Sequence, residues 1–311
     1  MDSSPHTVPG FPTGGLDQRK ADAMSATEIV PGLAPLADRY DAYLVDLWGC
    51  LHDGVTPFPA ALDALERLRA GGGKRVCFLS NGPRRIASLI RRLDEMGVPR
   101  GLYDAVMSSG ESAWAALKHR DDAWHKRIGR RCLHVGPERD NDVREGNGLD
   151  IVEQVEEADF ILCTGIDGWD ETVEDYEPLL AAAAVRALPM VCANPDLVVH
   201  IGDRLSLCAG SLAVRYVELG GDVSWHGKPD GAVFARAMAA LGCPDEGRAL
   251  MIGDGLRTDV AGGNGFGIDT LFLSAGIHAE EVGAPPDPAR LAARSAELGV
   301  RPTWATEALC W

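Results

Sequence analysis

The chain has 311 residues, 46% of them hydrophobic and 24% charged, a balance that fits a soluble globular protein with room for two domains. Its 46 acidic residues outnumber 30 basic ones for a formal charge of −16. With no net basic surface to neutralise phosphates, nucleic acid and acidic membrane surfaces are excluded as partners. No apolar stretch approaches the ~20 residues of a membrane span, and eight cysteines without a C-x-x-C pair point to a reducing, cytoplasmic compartment without a disulfide framework.

Residues 1–25 carry proline, glycine and serine but no run of signal-peptide length. They are expected to be disordered, with Met24 as an alternative start. Ala42-Tyr43-Leu44-Val45 then reads as a buried strand of a parallel sheet. The apolar spacing of Ala60, Leu62, Leu65 and Leu68 predicts a helix over 59–70, stopped by Gly71-Gly72-Gly73. A strand at 75–79, a helix at 83–96 opened by Pro83, a strand at 104–107 and a helix at 109–117 continue the alternation of a doubly wound parallel sheet. A second α/β block follows, with strands at 131–135, 160–163 and 190–193, a helix at 179–188 and a hairpin-like pair at 198–201 and 205–207. Strands at 223–225, 249–252 and 270–273 and a helix at 231–241 return to the first block, before a closing helix at 285–294 and a packed tail at 305–311. The fold class is therefore α/β: a core of residues 26–112 plus 225–311, with 113–224 inserted.

The chemistry collects where apolar runs end, the edge at which open α/β sheets bind ligands. Asp46 follows the first strand, and Ser80-Asn81-Gly82 the second. Gly227-Lys228-Pro229 follows the strand at 223–225, and Gly253-Asp254-Gly255, with Asp259 beyond, follows 249–252. A carboxylate nucleophile, a hydroxyl with backbone donors, a lysine and an acidic pair able to hold a metal are the parts that phosphoryl transfer requires. Each has a plainer reading: Asp46 or Asp259 as a cap, Lys228 as a solvated strand end. Four such pieces in order outweigh those readings. Gly71-Gly72-Gly73-Lys74 is no phosphate loop, because it follows a helix and precedes a strand.

Carrying these motifs, the chain resembles the haloacid-dehalogenase-like (HAD) hydrolase superfamily over roughly residues 40–273. The wide gap between Ser80 and Lys228 is where class II members carry a large cap domain. Ser80-Asn81-Gly82, Gly227-Lys228-Pro229-Asp230 and Ala193-Asn194-Pro195-Asp196 are most similar to class IIA, the branch of nitrophenylphosphatases, pyridoxal-phosphate phosphatases and NagD-like sugar phosphatases. The resemblance implies a Rossmannoid core and magnesium held by Asp46, the backbone carbonyl of Trp48 and Asp254, with Asp259 behind them. It implies Asp46 as nucleophile, phosphate contacts from Ser80, Asn81, Gly82 and Lys228, and substrate contacts in the cap from Asn194, Asp196 and His200.

One position departs from the pattern. Where most phosphatases of this superfamily have a second aspartate as general acid and base, this chain has Trp48. His52 and Asp53 are the nearby candidates to replace it. The leading expectation is a magnesium-dependent phosphatase of a small phosphorylated metabolite, acting through an aspartyl phosphate. The alternatives are a metal-independent dehalogenase-type hydrolase and a weakly active or non-catalytic phosphometabolite-binding protein. The expected partner is that metabolite, and a homodimer is the assembly admitted.

Overall fold

The computed structural model describes residues 26–201, 204–242 and 245–311, with His200 described in its backbone alone. The expectations for residues 1–25 and for the turn Gly202-Asp203, and any contact of the His200 side chain, lie outside what is described. In chain order the elements begin with β1 (Glu28–Ile29), β2 (Ala42–Val45), α1 (Pro59–Ala70), β3 (Arg75–Ser80), α2 (Ile86–Glu95), β4 (Ala105–Ser108), α3 (Ser109–His119) and α4 (Ala123–Arg127). Next come β5 (Arg131–Val135), β6 (Asp150–Val152), β7 (Phe160–Cys163), α5 (Glu177–Val185), β8 (Met190–Cys192), β9 (Val198–Ile201), β10 (Arg204–Leu207), α6 (Ala209–Glu218) and β11 (Val223–Trp225). The last are α7 (Gly231–Leu241), β12 (Ala249–Gly253), α8 (Ala261–Phe266), β13 (Asp269–Leu273), α9 (Ala279–Val282), α10 (Pro288–Leu298) and β14 (Trp304–Thr306).

A seven-stranded sheet runs β1-β14-β13-β12-β2-β3-β4, and a five-stranded sheet runs β11-β8-β7-β5-β6. Every pairing within these two sheets is parallel, whereas β9 and β10 form a separate antiparallel pair. Parallel strands must be covered on both faces, and alternation along β2 does this. Tyr43 and Val45 pack with Val76 and Phe78 on one side, while Ala42 and Leu44 pack with Cys77, Leu79 and the α7 residues Val233 and Phe234 on the other. The chain leaves β2 toward β3 on one flank, and β12 lies on the other. The carboxyl end of β2 is therefore the point where strand order reverses, the place for a ligand in such sheets. Among the described residues no helix is long and apolar enough to cross a membrane.

The α/β class, the parallel sheets and most expected elements are borne out, with two corrections. The strand at 223–225 does not return to the first sheet. It pairs in parallel with β8 through Val223↔Met190 and Trp225↔Cys192, completing the edge of a buried strand whose backbone needs a partner. Lys228 therefore arrives on the crossing segment between that sheet and α7, not on a strand end of the first sheet. The helix expected from Pro83 begins at Ile86 instead. Arg84 and Arg85 are held back because Arg85 N–H donates to Asp142 (3.1 Å) and Ser108 Oγ donates to the Arg84 carbonyl (2.6 Å).

A buried histidine, His226, lies on the crossing segment that carries Lys228, between α3 and β11. The hydroxyls of Ser112 on α3 and Ser224 on β11 each lie 3.3 Å from a different ring nitrogen of His226. Burial first, then His125 and Arg236, pushes His226 down to about 3. A histidine titrates near ~6.5 when unfolded, so the unfolded chain binds the extra proton. The stability tied to the neutral ring is full above that value and is lost as pH falls toward 3. The melting temperature should therefore drop between pH 6.5 and 4, and His226→Gln should flatten the drop. An equally steep fall in the variant would assign the proton uptake to other groups.

Candidate active site

β2 delivers Asp46, whose N–H donates to the Ile252 carbonyl of β12 at 2.9 Å. The chain then curls tightly, with Leu51 and His52 N–H groups both donating to the Leu47 carbonyl. This turn needs Gly49: its φ is +77°, and a Cβ there would come within 2.3 Å of the Asp254 carboxylate. Asp254, just past β12, is fixed from the other side by the Ile277 N–H at 3.0 Å. The turn also carries Cys50 to the nucleophile, its Sγ 3.8 Å from Asp46 Oδ2. Asp46, Cys50 and Asp254 each offer a ligand atom within 4.8 Å of the others. Nothing in the sequence marked Cys50, because its proximity follows from a six-residue turn that no periodicity encodes.

Lys228 is the other half of the centre. It is 2% exposed, and its Nζ lies 2.6 Å from Asp46 Oδ1 and 2.7 Å from Asp259 Oδ1. Burial alone would depress this ammonium, but the carboxylates of Asp259, Asp46 and Asp196 outweigh it and hold it charged. Asp259 sits on a π-helical turn, Leu256–Val260, and accepts the Gly255 N–H at 2.9 Å. It is a partner of Lys228, not a helix cap.

Burial, with Asp259 and Asp254 nearby, pushes Asp46 up despite Lys228, and burial and Asp259 push Asp254 up to about 7. Three buried carboxylates thus face one ammonium, an excess of negative charge that a hard divalent cation with oxygen ligands would balance. The donor set fits such an ion.

Ser80, at the end of β3, accepts the Gly82 N–H at 3.0 Å. Its own proton donates to no described residue and is available to a ligand. Sequence reasoning gave Asn81 a backbone role, but its side chain does more. Oδ1 accepts from Lys228 N–H at 2.8 Å and from Ser109 Oγ at 3.2 Å. Nδ2 donates to Asp196 Oδ1 at 2.8 Å and to the Lys228 carbonyl at 3.2 Å. Asp196 is pushed up to about 6 by burial. The Asn194 side chain accepts the Asp196 N–H at 3.0 Å, a turn hydrogen bond.

Trp48 leans on its own loop, its ring 5.4 Å from that of His52 in an edge arrangement. A Cβ at Gly54, where φ is +89°, would sit 2.3 Å from the indole. His52 accepts the Gly54 N–H at Nδ1 (3.0 Å), and burial pushes it down to about 4. Asp53 turns away, its carboxylate accepting the Val55 and Thr56 N–H groups at 2.8 and 2.7 Å. Every residue of the expected nucleophile, phosphate and metal set, from Asp46 to Asp259, lines one cavity of about 460 Å3.

The family model of haloacid dehalogenase-like hydrolases matches residues 43–150, and a HAD-hydrolase-like model matches 225–298. A haloacid dehalogenase-like hydrolase from Brucella suis is 36% identical, covering 90% of this chain and all of that one, with a TM-score of 0.79. The chain belongs to the haloacid dehalogenase-like hydrolase family. The 5'-nucleotidase YutF of Bacillus subtilis is 25% identical over 78% of this chain and 90% of its own. The glycerol phosphate phosphatase Rv1692 of Mycobacterium tuberculosis, solved in complex with magnesium, is 27% identical, covering 86% of this chain and 76% of that one at a TM-score of 0.61.

Proposed function

We propose that this protein is a magnesium-dependent phosphatase of small phosphorylated metabolites that works through an aspartyl phosphate on Asp46. The observation that carries the reading is the buried Lys228 ammonium between Asp46 and Asp259, with Asp254 leaving the site short of positive charge. The kinship with a 5'-nucleotidase and a glycerol phosphate phosphatase supports it. Asp46, Asp254 and the Trp48 carbonyl would hold the cation, whose charge would offset the repulsion between a carboxylate and a phosphate dianion.

In this reading Lys228 anchors Asp46 Oδ1, and an Asp46 oxygen attacks phosphorus. The Ser80 hydroxyl and the Asn81 N–H donate to the phosphoryl oxygens as charge builds on them. The phosphorus–oxygen ester bond breaks, the departing alkoxide takes a proton from water, and a second water releases phosphate from Asp46. The five-stranded sheet acts as the cap over this centre, with the Asn194–Asp196 turn facing it. The charge excess at Asp46, Asp254 and Asp259 disfavours a metal-free dehalogenase.

Phosphate release from a phosphometabolite panel, with magnesium and with chelator, tests the reading. Magnesium-dependent release supports it, and no release from any phosphate ester would overturn it. The metal assignment has its own test. Asp254→Ala should weaken magnesium binding about 10–100-fold or more while the circular dichroism spectrum is kept. Unchanged affinity by calorimetry would remove Asp254 from the ligand set.

A further inference from the structure

The cavity at Asp46, about 460 Å3, is far larger than a phosphate group requires, and apolar Ile166, Trp169, Val198 and Leu207 are among its lining residues. Three arginines also line it, Arg84, Arg92 and Arg139. Two are committed. Arg84 Nε donates to Asp140 at 2.9 Å, and Arg92 Nη2 donates to the Gly54 carbonyl at 3.1 Å while Nη1 reaches Glu95 at 3.4 Å. The Arg139 side chain makes no hydrogen bond or ion pair with any described residue, though its charge is felt by Asp140. It stands exposed on the turn Glu138–Val143 that follows β5, and its neighbour Asp140 is already matched by Arg84. A guanidinium whose donors have no hydrogen-bonded partner, on the wall of a catalytic cavity, is a fork shaped for a carboxylate or a phosphate.

We infer that the preferred substrates are phosphate monoesters bearing a second anionic group, a carboxylate or a second phosphate, which Arg139 receives while the apolar lining residues take the body between them. This rests on the phosphatase reading above. The contact is made equally in the ground and transition states, so it acts on KM and leaves kcat alone.

Three probes of one body decide the matter: phenyl phosphate, 4-carboxyphenyl phosphate and 1,4-phenylene bisphosphate. The native enzyme should show a lower KM for one or both doubly anionic probes, and which one identifies the second group. Arg139→Ala should raise that KM about 10–100-fold, the range for a hydrogen-bonded charge, with kcat and the phenyl phosphate KM unchanged. Arg139→Lys should restore part of the loss. Equal KM values across the probes, or a change of the same size for all three in Arg139→Ala, would overturn the inference. If none is hydrolysed, the phosphometabolite panel decides the phosphatase reading, and calorimetry with phenylphosphonate and 4-carboxyphenylphosphonate tests the subsite alone. A preference for the carboxylate that vanishes in Arg139→Ala upholds the subsite, and no preference removes it.

Discussion

Asp46→Asn should lower kcat on the order of 10⁴–10⁶-fold, the size of loss seen when a nucleophile acting with its partners is removed. The amide cannot attack phosphorus and carries no charge for Lys228. The fold should survive, because Lys228 keeps Asp259 at 2.7 Å and the amide fills the volume of the carboxylate. Phosphate release at saturating substrate, with a thermal melt beside it, makes the measurement. Beryllium fluoride with magnesium should protect the native protein against unfolding and leave the variant unprotected. Turnover within tenfold of native would mean that another group, or water directly, attacks the phosphate.

The second large effect concerns Trp48. An aspartate there would protonate the leaving alkoxide and then activate water, whereas an indole N–H is a donor with no useful acidity. Neither neighbour takes over. His52 is depressed to about 4, with Nδ1 occupied by the Gly54 N–H, and Asp53 is bound into its own turn. The native enzyme should therefore favour aryl and acyl phosphates, whose leaving groups depart as stable anions, over alkyl phosphates. Trp48→Asp should raise kcat/KM for alkyl phosphates relative to aryl ones by about 10²–10⁴-fold, the usual worth of a general acid. Comparing leaving groups within each protein cancels any stability cost of vacating the space against Gly54. A flat dependence on leaving-group pKa in the native enzyme would show that some residue already supplies the proton.

The core and the members of the site were legible because they are local. A buried strand reads as a short apolar run, and a residue placed just past it must lie at the sheet edge whatever the rest of the chain does. That is why Asp46, Ser80 and Asp254 were found from sequence and converge in the structure. Which sheet a strand joins is not local, so 223–225 was assigned to the wrong one. Its residues are half-buried and suit either edge. The start of α2 was misread because Pro83 is a valid opening signal until Asp142 and Ser108, distant in sequence, engage Arg85 and Arg84. Arg139 carried no signal either, since an arginine without hydrogen-bonded partners is defined by those it lacks, and they are known only once the chain is folded.

Asn81 has a consequence for anyone who would retune this enzyme. Its amide uses one face on Lys228 and the other on Asp196, so the reactive lysine and the 194–196 turn share a single rigid connector. Substitutions in that turn should move selectivity and turnover together, and a library built there would mostly return slow enzymes. Trp169, 46% exposed and lining the same cavity, has no such tie among the described residues. Changes of side-chain size there are free to alter which molecules enter without retarding the chemistry, so the permissive ground for divergence lies away from the most motif-like residues.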